Sequence, residues 1–360
     1  MIGPEVIVCA GGGGVGKTTA SAALALALAR SGKRALIVSI DPARRLADAM
    51  GVTLDGRARS VTLDTPGGKL YGLMPDPRRS MRTFVEILFE QEPQALARLL
   101  DNRIYQVLED AVPGIHELVA MTLTARAIAE HCIDVVVIDT APSRFAVDFV
   151  GYPDRLAKLL GGRAVGWLAQ LAQRGQGRHD DSGAPKVTRI ERLLAWVLGP
   201  VVGDAAALFA EMALVLDSFV ALNQQTSQLL LGPATKYLIV AAPTAAAQAD
   251  AHYLIAQLAT LQISTTAILL NSAVSPSRDF VDLLDKATET TAPMRDVLRS
   301  LDYEWQSRAQ AVATIADGFS GSHPELPQLR LPFVEQAEPR EIIETLARVL
   351  ATELCRFVAD

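Results

Sequence analysis

Short apolar runs alternate with longer stretches of helical periodicity along this chain. Five runs have the length and β-branched composition of strands, and a sixth is weaker. They cover Val6–Ala10, Arg34–Ile40, Val135–Asp139, Tyr237–Ala242 and Thr266–Asn271, with Leu70–Met74 as the weaker one. Nearly continuous apolar strands are typical of a parallel sheet covered on both faces. The pattern therefore predicts an α/β fold with a mostly parallel central sheet flanked by helices.

Between residues 153 and 235 the pattern changes to helices alone. Apolar residues recur there at the spacing of one helical face; they are Leu208, Met212, Val215, Leu216, Phe219 and Leu222. A polar, turn-rich segment, Arg174–Lys186, precedes them. We therefore predict an α/β domain built from residues 1–152 and 236–360, interrupted by a helical insertion subdomain at 153–235.

Composition and charge limit the classes of function. The 360 residues include 34 Lys and Arg against 40 Asp and Glu, a formal net charge of −6, so nucleic acid is not an expected partner. The sequence shows no secretory signal and no clean apolar run of about 20 residues. We therefore expect a cytoplasmic protein that does not span a membrane. Cys9, Cys132 and Cys355 form neither a disulfide framework nor a paired zinc-ligand pattern.

A glycine-rich loop follows the first predicted strand and opens a helix. It has the spacing Gly11-x4-Gly16-Lys17-Thr18, in which glycines let backbone N–H groups surround phosphates. The lysine neutralises the β- and γ-phosphates, and the Thr18 hydroxyl can ligate magnesium. The predicted ATP-binding residues here are Gly13, Gly14, Val15, Gly16, Lys17, Thr18 and Thr19. The alternative is an ordinary glycine-rich turn.

Two aspartates stand at the ends of predicted strands. Asp139 closes the run Val135–Asp139, where a carboxylate can hold magnesium through a water molecule. Asp41 follows the second strand, where it can reach the water that attacks a γ-phosphate or the magnesium shell. Each aspartate has an alternative role as the N-cap of the next helix, and for Asp41 the two roles are compatible.

These motifs, taken in order, resemble one known family across nearly the whole chain. The matching segments are GGVGKTT (Gly13–Thr19), DPARRLADAMG (Asp41–Gly51), PGIHEL (Pro113–Leu118), DTAP (Asp139–Pro142), LLNSAV (Leu269–Val274) and LPFVEQAEPRE (Leu331–Glu341). They look like the ATPases of arsenite pumps and of tail-anchored membrane-protein targeting. The last segment is similar to that family's C-terminal strand and nucleotide-binding loop.

The resemblance implies a P-loop NTPase fold with ATP and Mg²⁺ as cofactors. It assigns catalytic roles to Lys17 and Asp41 and adenine recognition to Asn271, with Pro332 and Phe333 closing over the base. It also implies dimers that close on ATP and open after hydrolysis. In the targeting branch of the family, the inserted helices form a groove for a hydrophobic client.

The sequence departs from the family at two places. Gly12 stands where members usually carry a lysine that crosses to the partner's phosphates. The second nucleotide switch of the family begins at DTAP, and here it continues as SRFA (Ser143–Ala146) where members usually have TGHT. A paralogous subunit of a heterodimer could supply the missing cation. Alternatively, one of three arginines, which are Arg44, Arg45 and Arg144, substitutes for it. It is also possible to interpret the three arginines as ordinary surface residues with no role at the phosphates.

We therefore expect a nucleotide-switched ATPase that is a homodimer or a heterodimer with a paralogous ATPase. Its helical insertion would handle a hydrophobic protein client or a membrane-associated partner, which places the protein in the cytoplasm or at the membrane periphery. One alternative is a weakly hydrolysing regulatory subunit, and another is a partitioning-type ATPase. The cysteine pattern disfavours an arsenite-pump subunit and a zinc-clamped dimer.

The client-binding face is a separate prediction. It combines Leu208–Leu222 with Leu156, Leu159, Leu160, Trp167, Leu168 and Leu171. The alternative is ordinary packing of these side chains in the core, because apolar helical stripes usually serve that purpose.

Overall fold

The computed structural model describes residues 4–41, 45–108, 115–140, 203–205, 207–275, 292–335 and 338–357. These residues contain eight strands in one sheet. The strands are β1 Glu5–Gly11, β2 Arg34–Ser39, β3 Arg59–Ser60, β4 Lys69–Leu73, β5 Val135–Asp139, β6 Thr235–Ala241, β7 Thr265–Ala273 and β8 Gln328–Pro332.

The sheet has the strand order β3-β4-β2-β5-β1-β6-β7-β8. All neighbouring strands are parallel except β3 and β4, which pair antiparallel. The prediction of a mostly parallel α/β sheet is therefore confirmed, and the weaker candidate at Leu70–Met74 is the strand β4. The inner strands β5 and β1 are buried over almost their whole length, as their uninterrupted apolar sequences require.

Eleven α-helices accompany the sheet in the described part of the chain. They are α1 Lys17–Arg30, α2 Arg45–Met50, α3 Ser80–Leu88, α4 Pro93–Leu100, α5 Arg103–Leu108, α6 Ile115–His131, α7 Gly203–Leu214, α8 Leu216–Leu231, α9 Ala245–Thr260, α10 Ala292–Ser322 and α11 Pro339–Phe357. A short 3₁₀ helix, Pro77–Arg79, precedes α3.

Helix α1 lies against the sheet and is buried on almost all sides. Its segment Ala20–Ala29, which is alanine and leucine except for Ser21, is buried throughout, and the helix packs closely against α11 as well as against β2 and β5. A helix that is apolar all round fits such a position, because small alanine side chains allow close approach on every face. This packing fixes the N-terminus of α1 at the carboxyl end of β1.

The chain divides into two compact units. One consists of Met1–Pro75, Leu123–Asp148 and Leu229–Asp360, and the other of Asp76–Thr122 and Phe149–Gln228. The second unit thus includes residues 76–122, which lie outside the insertion expected from sequence. Its described contacts include an edge-on pair of Phe84 and Phe219 with ring centroids 6.2 Å apart.

The apolar face predicted at Leu208–Leu222 spans two helices. Helices α7 and α8 meet at a bend of 60°, where the N–H of Val215 donates to Met212 O at 3.3 Å. Val215 and Phe219 are buried, and the other residues of the face are half-buried. The predicted partners between Leu156 and Leu171 lie outside the described residues, so client binding at this face stays a prediction.

No single described helix is long and apolar enough to cross a membrane. The helices α7 and α8 together have the length and apolar composition of a membrane span, but the bend of 60° separates them.

Candidate functional site

The loop between β1 and α1 needs glycine at its last position. Gly16 has a φ of 83°, in the left-handed region that favours glycine. A Cβ on Gly16 would also overlap the side-chain amide nitrogen of Asn271. That amide donates a hydrogen bond to the backbone O of Val15 at 3.0 Å. Backbone conformation and a close contact with β7 therefore both fix the end of the loop.

The N-terminus of α1 is free to receive an anion. In α1, which is described throughout, no side chain caps the N-terminus and the first turn has no acidic residue. Helix N-termini present unpaired N–H groups and the positive end of the helix dipole. Glycine loops that lead into such a terminus are built for phosphate.

Lys17 occupies the space in front of the loop. Its Nζ donates hydrogen bonds to Gly11 O at 3.1 Å and to Gly12 O at 2.7 Å. Burial lowers the pKa of Lys17, while the nearby carboxylates of Asp139 and Asp41 act in the opposite direction. The lysine is thus held by carbonyl groups of its own loop, in a position that phosphate oxygens would compete for.

Asp139 is buried at the end of β5, beside the ends of β1 and β2. Its Oδ2 accepts hydrogen bonds from Thr18 Oγ1 at 2.8 Å and from Ser39 Oγ at 3.2 Å. Its Oδ1 is shielded from solvent and has no hydrogen-bond partner among the described residues. Burial raises the pKa of Asp139 to about 6, against the lowering effect of the two hydroxyl donors and Lys17.

This set of oxygens fits a magnesium ion. Mg²⁺ prefers oxygen ligands and retains several of its waters, and a buried carboxylate oxygen without a donor calls for a cation or a water bound to one. Thr18 and Asp139 therefore have the chemistry for a hydrated magnesium site next to the loop.

A pocket of about 300 Å³ opens at the loop. It brings together most of the predicted phosphate residues and the predicted catalytic aspartate. The lining residues are Gly13, Gly14, Gly16, Lys17, Thr18, Thr19, Asp41, Arg45 and Ala49. Val15 instead points into the core and is 4% exposed. Of the three candidate substitute cations, Arg45 lies in this pocket, whereas Arg44 and Arg144 are outside the described residues.

The predicted adenine residues lie on β7 and at the end of β8, which are separated from β1 by β6. Asn271, in β7, is buried and contacts the loop through Val15. Pro332 ends β8, and the N–H of Phe333 donates to Ala273 O at 3.0 Å. Neither Pro332 nor Phe333 belongs to the described lining of the pocket. The structure therefore brings Asn271 into contact with the loop. Pro332 and Phe333 lie near the end of β7 and do not line the pocket.

Sequence reasoning did not assign a role to Ser39, Ala49 or Asp250. Ser39 pairs in register with Asp139 across β2 and β5, a neighbour relation that only strand order reveals. Ala49 lies one helical turn after Arg45 in α2, so the helical period could have indicated it. Asp250 lies on α9, and a Cβ on Gly12 would be 2.5 Å from its Oδ2.

A side chain at residue 12 would therefore collide with Asp250 unless that carboxylate moved. The backbone of Gly12 is buried, and the carboxylate of Asp250 stands where a side chain at residue 12 would begin. The second-switch residues Ser143–Ala146 lie outside the described part of the chain.

Comparisons with known proteins agree with this geometry. The family model described as anion-transporting ATPase matches residues 4–292. The ATPase get3 of Aspergillus terreus is 32% identical over 154 residues, which are 43% of this chain and 44% of that protein. The ATPase GET3 of Malassezia globosa is 34% identical over 154 residues, with the same coverage of 43% and 44%.

A third relative is the ATPase get3 of Schizosaccharomyces pombe, 31% identical over 159 residues, covering 43% of this chain and 45% of its own length. In each of these pairs the similarity spans less than half of either protein. The family model covers far more of the chain, including the loop, both aspartates and Asn271. From this match, and from the parallel sheet with its phosphate-type loop, we conclude that the chain belongs to the anion-transporting ATPase family.

Proposed function

We propose that this protein binds ATP with Mg²⁺ and hydrolyses it to ADP and phosphate. The observation that carries the proposal is the convergence of Lys17, Thr18 and Asp139 at an uncapped helix N-terminus. These groups supply a cation for phosphate, a hydroxyl ligand and a buried carboxylate, the three parts that phosphoryl transfer to water requires at the loop.

Each residue has a defined task in this proposal. Lys17 would exchange the carbonyls of Gly11 and Gly12 for oxygens of the β- and γ-phosphates, and backbone N–H groups from Gly13 to Thr19 would hold the remaining oxygens. Thr18 and Asp139 would hold magnesium, which neutralises phosphate charge when it is bound. Asn271 would hydrogen-bond the adenine, and Pro332 and Phe333 would cover it.

Asp41 is the proposed group that orients the attacking water. It lines the same pocket as Lys17 and Thr18 and is half-buried. A carboxylate in that place can accept a proton from water as it attacks. Because its task concerns the water and not the phosphates, its loss should lower turnover more than binding.

The test is to measure ATP binding and single-turnover hydrolysis separately. Lys17→Met is expected to weaken ATP binding at least ten-fold, whereas Asp41→Asn should keep binding within about three-fold and lower hydrolysis by roughly 10²–10⁴. Lys33→Met, which removes a half-buried lysine paired with Glu5, is the matched control and should change neither. If Asp41→Asn hydrolyses ATP at the wild-type rate, the role of Asp41 is refuted.

Within one chain, Arg45 is the best-placed cation to replace the charge of the lysine that family members usually carry at the position of Gly12. Arg45 is at the pocket, and its charge reaches Lys17, whose pKa it lowers. Arg45→Ala should therefore lower turnover by at least ten-fold, while Arg348→Ala, an exposed arginine on α11, should have no effect. Equal turnover of Arg45→Ala and wild type would remove Arg45 from consideration.

The second candidate function is a weakly hydrolysing regulatory subunit. The carboxylate of Asp250 next to Gly12 favours it, because negative charge at that place opposes the build-up of charge on a γ-phosphate unless a partner supplies a cation. Under this alternative the purified chain binds ATP but turns over only together with a paralogous ATPase. Single-turnover hydrolysis with and without the co-purified partner separates the two functions.

The assembly and the client belong to the same proposal. We expect a nucleotide-switched dimer, either a homodimer or a heterodimer, that works in the cytoplasm or at the membrane periphery. The curated relatives named as ATPase get3 support this expectation, and so does the half-buried apolar face of α7 and α8 for a hydrophobic client. Release of a bound apolar peptide on ATP addition, and its retention by Lys17→Met, would test client handling.

A further inference from the structure

Two histidines that are far apart in sequence meet between α9 and the end of α10. His252 lies in α9, and His323 follows the last residue of α10. The distance between His252 Nδ1 and His323 Nε2 is 3.0 Å, and the ring centroids are 5.1 Å apart. Both side chains are half-buried, so solvent still reaches the pair. Neither histidine belongs to the lining of the phosphate pocket.

Ring packing and backbone hydrogen bonds hold both histidines in place. The ring of His252 lies against buried Phe319, with centroids 5.2 Å apart and an angle of 52° between the rings. The N–H of His323 donates to Phe319 O at 2.8 Å, and the N–H of Leu326 donates to His323 O at 3.1 Å. Side chains that the fold already holds lose less entropy when they take up a ligand.

The protonation of the pair suits a metal ligand. Burial lowers the pKa of His252, and the nearby imidazole of His323 lowers it further, so His252 is neutral at pH 7. Glu325 Oε1 lies 3.7 Å from His323 Nδ1, and a carboxylate beside that nitrogen favours the tautomer with its proton on Nδ1. His323 Nε2 then carries a lone pair that accepts the proton of His252 Nδ1. Metal ligation requires only that His252 carry its proton on Nε2 instead.

The spacing of the two nitrogens is close to that of two ligands on one zinc ion. Imidazole nitrogens bind Zn²⁺ at about 2.0–2.1 Å in tetrahedral sites, which places two such ligands about 3.3 Å apart. A rotation of the two rings would turn both lone pairs toward an ion beside the line that joins the nitrogens. In the described part of the chain, no group of three His, Cys, Asp or Glu side chains is placed to hold a metal. Water would therefore complete the coordination, as it does in open zinc sites.

We propose that His252 and His323 of a single chain bind a divalent transition-metal ion of the zinc type. Imidazole suits such ions, whereas Mg²⁺ prefers oxygen ligands, so this site differs in chemistry from the magnesium ligands proposed at the loop. Glu325 stands where carboxylates commonly support a ligating imidazole from outside the coordination shell. The bound ion links α9 to the turn after α10, and its binding does not depend on ATP.

The experiment titrates Zn²⁺ alone into the metal-free full chain by calorimetry, without nucleotide or Mg²⁺. His252→Asn should weaken zinc binding by about 100-fold, because it puts a neutral amide in the place of the ligating nitrogen. His252→Asp puts a carboxylate oxygen, which is a zinc ligand, in the same place and should bind within about ten-fold of wild type. Glu325→Gln, which changes only the supporting carboxylate, should weaken binding by about ten-fold.

Cys132→Ser is the matched control. Cys132 is an exposed thiol outside this pair, and thiolates also bind zinc, so its removal should leave the affinity of the pair unchanged. Thermal unfolding of each metal-free variant shows whether the variant is folded. Zn²⁺ should raise the Tm of wild type and of Cys132→Ser but not that of His252→Asn, because only a bound ion stabilises the folded chain.

A spectroscopic measurement identifies the ligands directly. Electron paramagnetic resonance of the Cu²⁺-loaded wild type should show both imidazole nitrogens on the metal, and His323→Gln should remove one of them. The proposal is overturned if the wild type binds no Zn²⁺, if His252→Asn binds it as tightly as wild type, or if His252→Asp recovers none of the loss. Loss of zinc binding in Cys132→Ser would place the ion elsewhere and would overturn it as well.

Discussion

Replacement of Gly16 by alanine should damage the loop in two separable ways. The φ of 83° forces a side chain into the left-handed region, at roughly 1–2 kcal/mol. The new Cβ would also displace the amide of Asn271. Displacement breaks the hydrogen bond to Val15 O and leaves that buried carbonyl without its donor, a further loss of about 1–3 kcal/mol.

Gly14 provides the matched control for the backbone effect. It also has a positive φ, 74°, but a Cβ there meets nothing within 4 Å. Gly14→Ala should therefore lower the free energy of unfolding by about 1 kcal/mol, partly offset by the smaller entropy of the unfolded chain. Gly16→Ala should lower it by about 3 kcal/mol, and the difference measures the contact with Asn271.

A double-mutant cycle with Asn271→Ala isolates that contact. In the Asn271→Ala background no amide stands in the way, so Gly16→Ala should cost only about 1 kcal/mol, as Gly14→Ala does. Urea denaturation of the nucleotide-free protein, followed by circular dichroism, gives each free energy. Equal losses for Gly14→Ala and Gly16→Ala, or strict additivity of Gly16→Ala and Asn271→Ala, would refute the reasoning.

Three further predictions concern ionisable groups. Asp139→Asn should raise the free energy of unfolding of the magnesium-free protein at pH 7 by up to roughly 3 kcal/mol, because burial raises the carboxyl pKa from 3.8 to about 6. In the wild type the stability contributed by the Asp139 carboxyl falls as pH rises from about 4 to about 6. The stability gained by Asp139→Asn should therefore vanish near pH 4, as urea denaturation would show. Cys9, whose buried thiol has a pKa of about 12, should resist alkylation of the native chain while exposed Cys132 reacts, as mass spectrometry would show. His252 Nδ1 lies 3.0 Å from His323 Nε2, and burial and that neighbour lower the pKa of His252. Stability should therefore fall as pH drops below about 6.5, and His252→Gln should flatten this dependence in thermal unfolding.

The inner strands could be predicted from sequence because they are buried on both faces. Val135–Asp139 is such a strand, and its apolar run is unbroken. The edge strands gave weaker signals. Arg59–Ser60 has two exposed residues, and Gln328–Pro332 alternates buried with half-buried or exposed positions. The resemblance indicated a C-terminal strand within Leu331–Glu341, but the strand begins three residues earlier and ends at Pro332.

The site was predictable where its residues are close in sequence. The loop from Gly13 to Thr19 is a local motif, and its context of strand and helix is also local. The hydrogen bond of Ser39 to Asp139 depends on strand order, and the position of Asp250 beside Gly12 depends on where α9 lies. One sequence does not encode these neighbours in any readable spacing, so only the folded chain reveals them.

The hydrogen bonds of Lys17 to its own loop must be broken before a ligand can bind the lysine, so they oppose ligand binding. Each bond from a charged amine is worth about 1.5–3 kcal/mol, and an entering anion has to replace those to Gly11 O and Gly12 O. A single phosphate, which makes few contacts beyond the lysine, compensates poorly for their loss. A chain of two or three phosphates also reaches the N–H groups at the start of α1. If the pocket binds nucleotides as proposed, the resting loop should therefore favour those with a longer phosphate chain over inorganic phosphate and nucleoside monophosphates.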